Sequence, residues 1–200
     1  FCSSPEDVEY LLFPRLSAFA DMAWRQKGSD NWAEFLPRVD AYSERLKAWR
    51  ISYSRSMYNL DHRVTPLGKG EVEVRLSSIR PDLSIHYTLD GSHPTEASAR
   101  YTEPFALKES SLVKAVTYKD GIPMGQLLTL PVDYNLATGH QIKEAGKDDL
   151  GLLTNGVRGS DRHTDFEWCG WHGSDFSFTI DLGQPQRLHT ITIGSITNYG

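Results

Sequence analysis

The hydrophobic period of this chain changes near residue 60, and the change rules out a fold of a single class. From Val8 to Trp49 the apolar residues recur every three to four positions, whereas from Val72 onward they alternate. The first pattern suits one face of a helix and the second suits one face of a strand. The chain therefore reads as helical over 1–60, as strands and turns over 64–134, and as turn-rich β structure again over 150–200, with a polar stretch at 135–149 between the β parts. Its 200 residues suit one to two domains of the usual ~100–150 residues.

Local signals sharpen this outline. Ser4 can cap a helix, Pro5 fits its first turn, and Asp7 stands where a capping-box acid belongs. Pro14 interrupts the stripe Val8, Leu11, Leu12, Leu16, Phe19, Ala20, Ala23, so a kink is expected near Phe13. Asn31 and Glu34 predict a second capping box, ahead of Phe35, Leu36, Val39, Tyr42, Leu46 and Trp49. Trp24, Trp32 and Trp49 lie on these stripes and are expected in a core. Two such helices bury too little apolar area to offset the entropy of ordering them, so they need further partners.

In the middle, Val72, Val74 and Leu76 share one face and Ile85, Tyr87 and Leu89 another, with Asp90-Gly91 and Asp120-Gly121 as turns. Strands are also expected over 112–118 and 126–134. Five or more short strands suggest a small antiparallel sandwich. In the last part, strands are expected over 176–182 and 188–196.

Composition excludes several functions. Twenty-one Lys and Arg against 26 acids give a net charge of −5, and the densest basic run, 45–55, reads as a solvated helix face. Nucleic acid is therefore not an expected partner. No apolar run approaches the ~18–20 residues that cross a bilayer. The two cysteines, Cys2 and Cys169, stand far apart and form no CxxC. None of the seven histidines pairs at i,i+4 on a helix. There is no Gly-x-Ser-x-Gly elbow. The middle segment shows no acid cluster, aromatic row or phosphate loop.

The run Val8-Glu9-Tyr10-Leu11-Leu12-Phe13-Pro14-Arg15-Leu16, with Ala18, Ala20, Trp24, Trp32, Phe35-Leu36-Pro37-Arg38 and Tyr53, resembles the end of the catalytic domain of family 20 glycoside hydrolases, the β-N-acetylhexosaminidases. Ile85-His86-Tyr87-Thr88-Leu89-Asp90-Gly91-Ser92-His93-Pro94-Thr95, with Ser98, Tyr101, Pro104-Phe105 and Val113-Lys114-Ala115, resembles the C-terminal domain appended to such enzymes. Leu153-Thr154-Asn155-Gly156, Gly159, Trp168, Gly170 and Phe178-Thr179-Ile180-Asp181-Leu182-Gly183 resemble the start of a discoidin-like (factor 5/8 type C) domain, a jelly-roll sandwich.

The resemblance implies three parts. Residues 1–60 would be an α-helical remnant of a (β/α)8 barrel, 61–136 a small antiparallel β-sandwich, and 137–200 a linker and an incomplete, jelly-roll-like β-sandwich. It also implies an extracytoplasmic protein that acts on glycans or glycoconjugates. Family 20 enzymes use an adjacent Asp-Glu pair: the Asp orients the substrate's acetamide, which attacks the anomeric carbon, and the Glu protonates the leaving oxygen. No Asp-Glu dipeptide occurs here, so no catalytic residue is carried over. The expectation is a non-catalytic accessory fragment of a β-N-acetylhexosaminidase. The alternative is a stand-alone carbohydrate-binding or adhesion module.

Two sites accompany this reading. The resemblance places a structural calcium near the loop 153–165, where Asn155, Ser160, Asp161, Thr164 and Asp165 offer oxygen ligands; turn chemistry alone explains the same residues. Trp171 and His172, next to Trp168, could form a sugar-stacking platform, while Trp168 itself reads as a core residue. No other cofactor is expected. A helical pair without its partner and an unfinished sandwich leave apolar surface and strand edges uncovered, so self-association is expected.

Overall fold

The computed structural model describes residues 2–25, 31–143, 150–162, 166–170 and 177–196. They form three helices and a set of antiparallel strands, divided into two compact units, 1–57 and 58–200.

In the first unit the capping box at Ser4 forms as its residues dictate. Ser4 Oγ accepts the Asp7 amide, and Asp7 Oδ2 accepts the amides of Ser3 and Ser4 at 2.8 and 3.0 Å. Those bonds, the Ser3 amide first, hold the Asp7 carboxyl below its ordinary range. Helix α1 (Pro5–Leu12) then stops, and α2 (Arg15–Trp24) starts afresh after Pro14. The expected kink is thus a full break, which Arg15 spans by donating from Nη1 to the Leu11 carbonyl at 2.9 Å. Helix α3 (Trp32–Ala48) is capped by Asn31, whose Oδ1 accepts the Glu34 amide. Asp21 ties α2 to α3 by accepting from Arg38 Nη2 at 2.8 Å while holding Arg25 Nε at 2.7 Å.

The apolar stripes of this unit are only partly covered. Leu36, Val39, Ser43 and Leu46 of α3 are buried, but α1 and α2 bury no residue. The core placement expected for the three tryptophans is corrected: Trp24 is 91% exposed, Trp32 47% and Trp49 62%. A helical stripe shows which face is apolar, and burial needs a second surface to meet that face.

The second unit holds the strands. β1 (Asp61–Gly68), β2 (Glu71–Ser77) and β5 (Phe105–Leu107) make one sheet in the order β1-β2-β5. β4 (Ala99–Arg100), β3 (Ser84–Thr88), β6 (Ser111–Lys119) and β7 (Ile122–Pro123) make the other, with β8 (Leu128–Val132) also paired to β6. All these pairs are antiparallel. Val64, Val72, Val74, Leu76 and Leu107 from the first sheet share one core with Val113, Ala115, Leu130 and Val132 from the second. That arrangement is compatible with a β-sandwich, and the period-two reading of β2 is visible in it directly: Val72 and Val74 are fully buried and Leu76 is 3% exposed. Leu89, expected on the face of Ile85 and Tyr87, lies past the end of β3 and is 41% exposed.

The Asp120-Gly121 turn joins β6 to β7 with positive φ at both residues, 50° and 77°, and Lys119 pairs with Ile122 across it. Two left-handed residues in a two-residue loop make the turn whose twist matches the strands, which is why Asp-Gly is favoured there.

After β8 the chain stays on the sandwich. Thr138 is 1% exposed, and Gly139 donates to the Thr154 carbonyl and accepts from the Gly68 amide, at 2.8 and 2.9 Å. β9 (Ile142–Lys143) pairs with β10 (Thr179–Ile180). Of the strand expected over 176–182, only β10 forms a ladder, and Phe176 lies outside the described residues. The strand expected over 188–196 is corrected. Those residues join no ladder, and Ile191 and Ile193 are 75% and 66% exposed. Alternation alone does not make a strand, because the hydrogen bonds that define one come from a neighbour.

Candidate functional site

The run Ile85 to Thr95, which with Ser98 carries the most specific resemblance, starts on β3 and continues from Leu89 to Ser98 as a loop over the outer face of the five-stranded sheet. Asp90 organises its start. Oδ1 accepts the Ser92 hydroxyl at 2.6 Å and the Ser92 amide at 2.9 Å, and these bonds, the hydroxyl first, lower the Asp90 carboxyl below its ordinary range. Thr88 Oγ1 donates to the Ser92 carbonyl at 2.7 Å. Ser98 Oγ accepts the Thr95 amide at 2.9 Å and closes the far end.

Beneath the loop lies a buried polar layer. On β3 and β6, His86 faces Val116 and Ser84 faces Tyr118, so these four side chains share the outward face. His86 is 7% exposed. Its Nδ1 lies 3.1 Å from the Ser98 carbonyl and its Nε2 3.2 Å from Ser84 Oγ. A carbonyl only accepts, so Nδ1 is the donor to Ser98, while Nε2 meets a hydroxyl that can donate or accept. Tyr118 packs edge-on against His86, with centroids 5.2 Å apart, and donates its hydroxyl to the Pro94 carbonyl at 3.1 Å.

Periodicity gave no warning of a second cluster. Arg80 is 1% exposed, and its guanidinium forks onto Asp82, Nε to Oδ1 at 2.8 Å and Nη2 to Oδ2 at 2.7 Å. Its Cζ lies over the Tyr58 ring, 5.0 Å from the centroid. Lys119 Nζ approaches Asp82 at 3.3 Å. The Arg80 guanidinium, first among its neighbours, lowers the Asp82 carboxyl to about 2. Nearby, Thr117 Oγ1 donates to the Tyr58 carbonyl at 2.6 Å and accepts the Gly125 amide at 3.0 Å. The only local hint was Arg80-Pro81-Asp82 itself, a turn that sets a cation two residues from an acid.

The structure also gathers aromatic residues that showed no row in the sequence. Tyr87 and Phe105 stack 4.7 Å apart at 5°, and Tyr101 meets both edge-on. All three pack against the shared core, and the Tyr101 hydroxyl accepts the Leu76 amide at 3.1 Å. Their faces meet one another and the core.

The residues expected to hold calcium are differently placed. Asn155 is fully buried, with Oδ1 accepting the Val157 amide at 2.9 Å and Nδ2 donating to Glu167 Oε2 at 2.7 Å. Ser160 and Asp161 are exposed, and Ser160 Oγ accepts the Arg162 amide at 3.3 Å. Asp165 and Thr164 lie outside the described residues, as do Trp171 and His172 of the expected sugar platform. Among the described residues no three His, Cys, Asp or Glu side chains gather closely enough to hold a metal ion. Calcium takes 6–8 oxygens, and the described part of the loop offers Ser160 and Asp161 on the surface and an Asn155 whose side chain is already engaged. Trp168 is partly buried. Its Nε1 donates to the Ser160 carbonyl at 2.8 Å, and a Cβ on Gly159 would sit 2.5 Å from its ring. Neither Cys2 nor Cys169 forms a disulfide. No described helix is long and apolar enough to cross a membrane.

Comparison with known proteins agrees with the most specific part of this arrangement. The family model described as the chitobiase/beta-hexosaminidase C-terminal domain matches residues 68–129, the stretch from the end of β1 into β8 that carries the Asp90 loop, the Arg80–Asp82 pair and Thr117. A protein named beta-hexosaminidase from Porphyromonas gingivalis strain W83 is 27% identical over 135 residues. The alignment covers 64% of this chain but only 17% of that protein. The chain is thus similar, over residues 68–129, to a hexosaminidase C-terminal domain, and it spans a small part of the curated relative's length.

Proposed function

We propose that this chain is a non-catalytic accessory region of a β-N-acetylhexosaminidase of the family 20 type, with the sandwich as a buttress and the hydrolytic residues elsewhere in the parent protein. One observation carries the reading. Within the stretch that matches the hexosaminidase C-terminal domain, the signature side chains Thr88, Asp90, Ser92 and Ser98 bond to their own loop, and His86 and Tyr118 bond to its carbonyls. They stabilise a surface, and none is left converging on a substrate.

The helices α1–α3 are read as outer helices of a (β/α)8 barrel. The exposed apolar residues of α1 and α2 support that assignment, since a barrel helix keeps such a face for the strands it covers. Residues 150–196 are read as the beginning of a jelly-roll of the discoidin type, supported by Trp168 packed on Gly159. Glycans in an extracytoplasmic setting are the substrates of the parent in this reading.

The test is turnover. Incubated with a chromogenic N-acetyl-β-hexosaminide, the purified chain is expected to release no chromophore above buffer. Reproducible release that disappears in a point variant of this chain would sink the accessory reading. A second expectation concerns association. Phe19, Met22 and Trp24 are 62%, 61% and 91% exposed, and contiguous apolar surface of this kind seeks a cover. Light scattering of the isolated chain at micromolar concentration is expected to give a mass above that of one chain. A monodisperse monomer would show that the face tolerates water.

A further inference from the structure

Asn155-Gly156 is the one Asn-Gly pair in the sequence, and its chemistry and its surroundings pull in opposite directions. Glycine carries no side chain to shield its amide nitrogen, so that nitrogen can attack the side-chain carbonyl carbon of the asparagine before it. The C–N bond that forms closes a five-membered succinimide. The side-chain nitrogen leaves as ammonia and takes the Gly156 amide proton with it. Water then opens the ring at either carbonyl, giving aspartate or, with the backbone rerouted through the side chain, isoaspartate. In both products a neutral amide has become a carboxylate.

The fold holds this reaction off. Asn155 is fully buried, away from the water and base that the steps require. Both ends of its amide are engaged: Oδ1 accepts the Val157 amide at 2.9 Å, and Nδ2 donates to Glu167 Oε2 at 2.7 Å. The side chain cannot turn toward the Gly156 nitrogen without breaking these bonds. Gly156 is pinned as well, since its carbonyl accepts the Asp133 amide at 2.8 Å and a Cβ on it would stand 2.9 Å from the Asp133 carbonyl oxygen. The same surroundings decide what a product would meet. The Glu167 side chain is only 8% exposed, and a carboxylate at position 155 offers it no donor. It sets a second negative charge within hydrogen-bond distance of the first, away from water.

We propose that Asn155 is a latent deamidation site: it reacts when residues 150–157 lift from the sandwich, and the carboxylate formed then keeps them from settling back. None of residues 150–157 belongs to a strand ladder, so their lifting is a local event that lies below global unfolding. Each opening exposes the Gly156 amide and frees the Asn155 side chain together. Conversion is irreversible, because the ammonia is lost. The chain thus carries a slow one-way switch whose only co-reactant is water.

Peptide mass spectrometry of the full 200-residue chain, held at mildly alkaline pH and physiological temperature, reads conversion as the mass gain from amide to acid. It is expected to run at least about tenfold slower in the chain than in a synthetic peptide of residues 152–160, the protection that a local opening supplies. Gly139→Ala, which loosens 150–157 without touching Asn155, should bring the rate back toward that of the peptide. The effect of the new charge is read separately, by hydrogen exchange. Asn155→Asp is expected to speed exchange at 150–157 about tenfold while β3 and β6 stay as in the parent. Adding Glu167→Gln should restore the parent's exchange, because amide and carboxylate have then only traded places across the same hydrogen bond. Equal conversion in chain and peptide, or a parent-like rate in Gly139→Ala, would overturn the gating. Parent-like exchange in Asn155→Asp, or no restoration by Glu167→Gln, would overturn the switch.

Discussion

Replacing Asp82 with Ala is expected to lower the stability of the unit 58–200 by about 3 kcal/mol, while replacing Arg80 with Met leaves it within about 1 kcal/mol of the parent. The asymmetry follows from burial. Arg80 is 1% exposed and keeps its charge at any accessible pH, so without Asp82 its guanidinium stays inside and loses its carboxylate counter-ion. Removing the cation instead leaves Asp82 free to face water, because 37% of its side chain is already exposed. That exposure also places the Asp82 effect at the low end of the range for a broken buried pair, since solvent screens part of the attraction. Methionine keeps the stem packed near Tyr58 and has no charge to bury. For a unit of this size the Asp82→Ala transition should fall by about 6–12 °C in a melt followed by circular dichroism. A fall under 2 °C, or a larger loss from Arg80→Met, would refute the ion pair as the anchor of this corner.

The same pair fixes how acid acts. The Arg80 guanidinium lowers the folded-state pKa of Asp82 from the ordinary 3.8 to about 2. The contribution of Asp82 is therefore complete above the unfolded value and disappears as pH falls through about 2. Between pH 4 and 2 the parent should lose stability more steeply than Asp82→Ala, and near pH 7 the difference between them should be flat.

What could be read from the sequence was what neighbours in the chain decide. The Ser4–Asp7 box, an interruption at Pro14 and the Asp120-Gly121 turn are matters of three or four residues, and each formed where the residues called for it, the expected kink at Pro14 as a full break. The inward face of β2 followed from alternation. What could not be read depends on distant partners. Nothing near Arg80 announces that Tyr58 and Lys119 will enclose it. Trp24 sits on an apolar stripe, yet no described surface covers it. Leu188 to Ile196 alternate, but no described strand pairs with them. The candidate site divides the same way. The Asp90 loop was legible because Asp-Gly-Ser bonds to itself. The layer of His86 and Tyr118 beneath it arises only when β3 meets β6, 30 residues apart in register at His86 and Val116.

Gly139→Ala is the substitution expected to do most harm per atom added. A Cβ there would stand 2.3 Å from the Glu71 amide nitrogen and 2.6 Å from the Gly70 carbonyl carbon, both backbone atoms that cannot rotate aside. Gly139 also sits at φ +79°, where an L side chain is strained even in open space. Steric and conformational terms together should cost about 3 kcal/mol. They should do so by lifting residues 138–140 from the β1–β2 turn, which breaks the bonds to the Gly68 amide and the Thr154 carbonyl. Gly68→Ala separates the two terms. Its φ is +88°, but nothing lies within 4 Å of its Cβ, so only the conformational cost of about 1 kcal/mol remains. If the chain after β8 belongs to the sandwich, Gly139→Ala lowers the unfolding midpoint of β3 and β6 as well as exposing 150–157 to exchange. If it were a tether lying loosely on the surface, Gly139→Ala would free 150–157 and leave β3 and β6 as stable as in Gly68→Ala. The buried Thr138, Thr154 and Asn155 argue for the first outcome, because polar side chains that deep are tolerated only where their bonds are built into the fold.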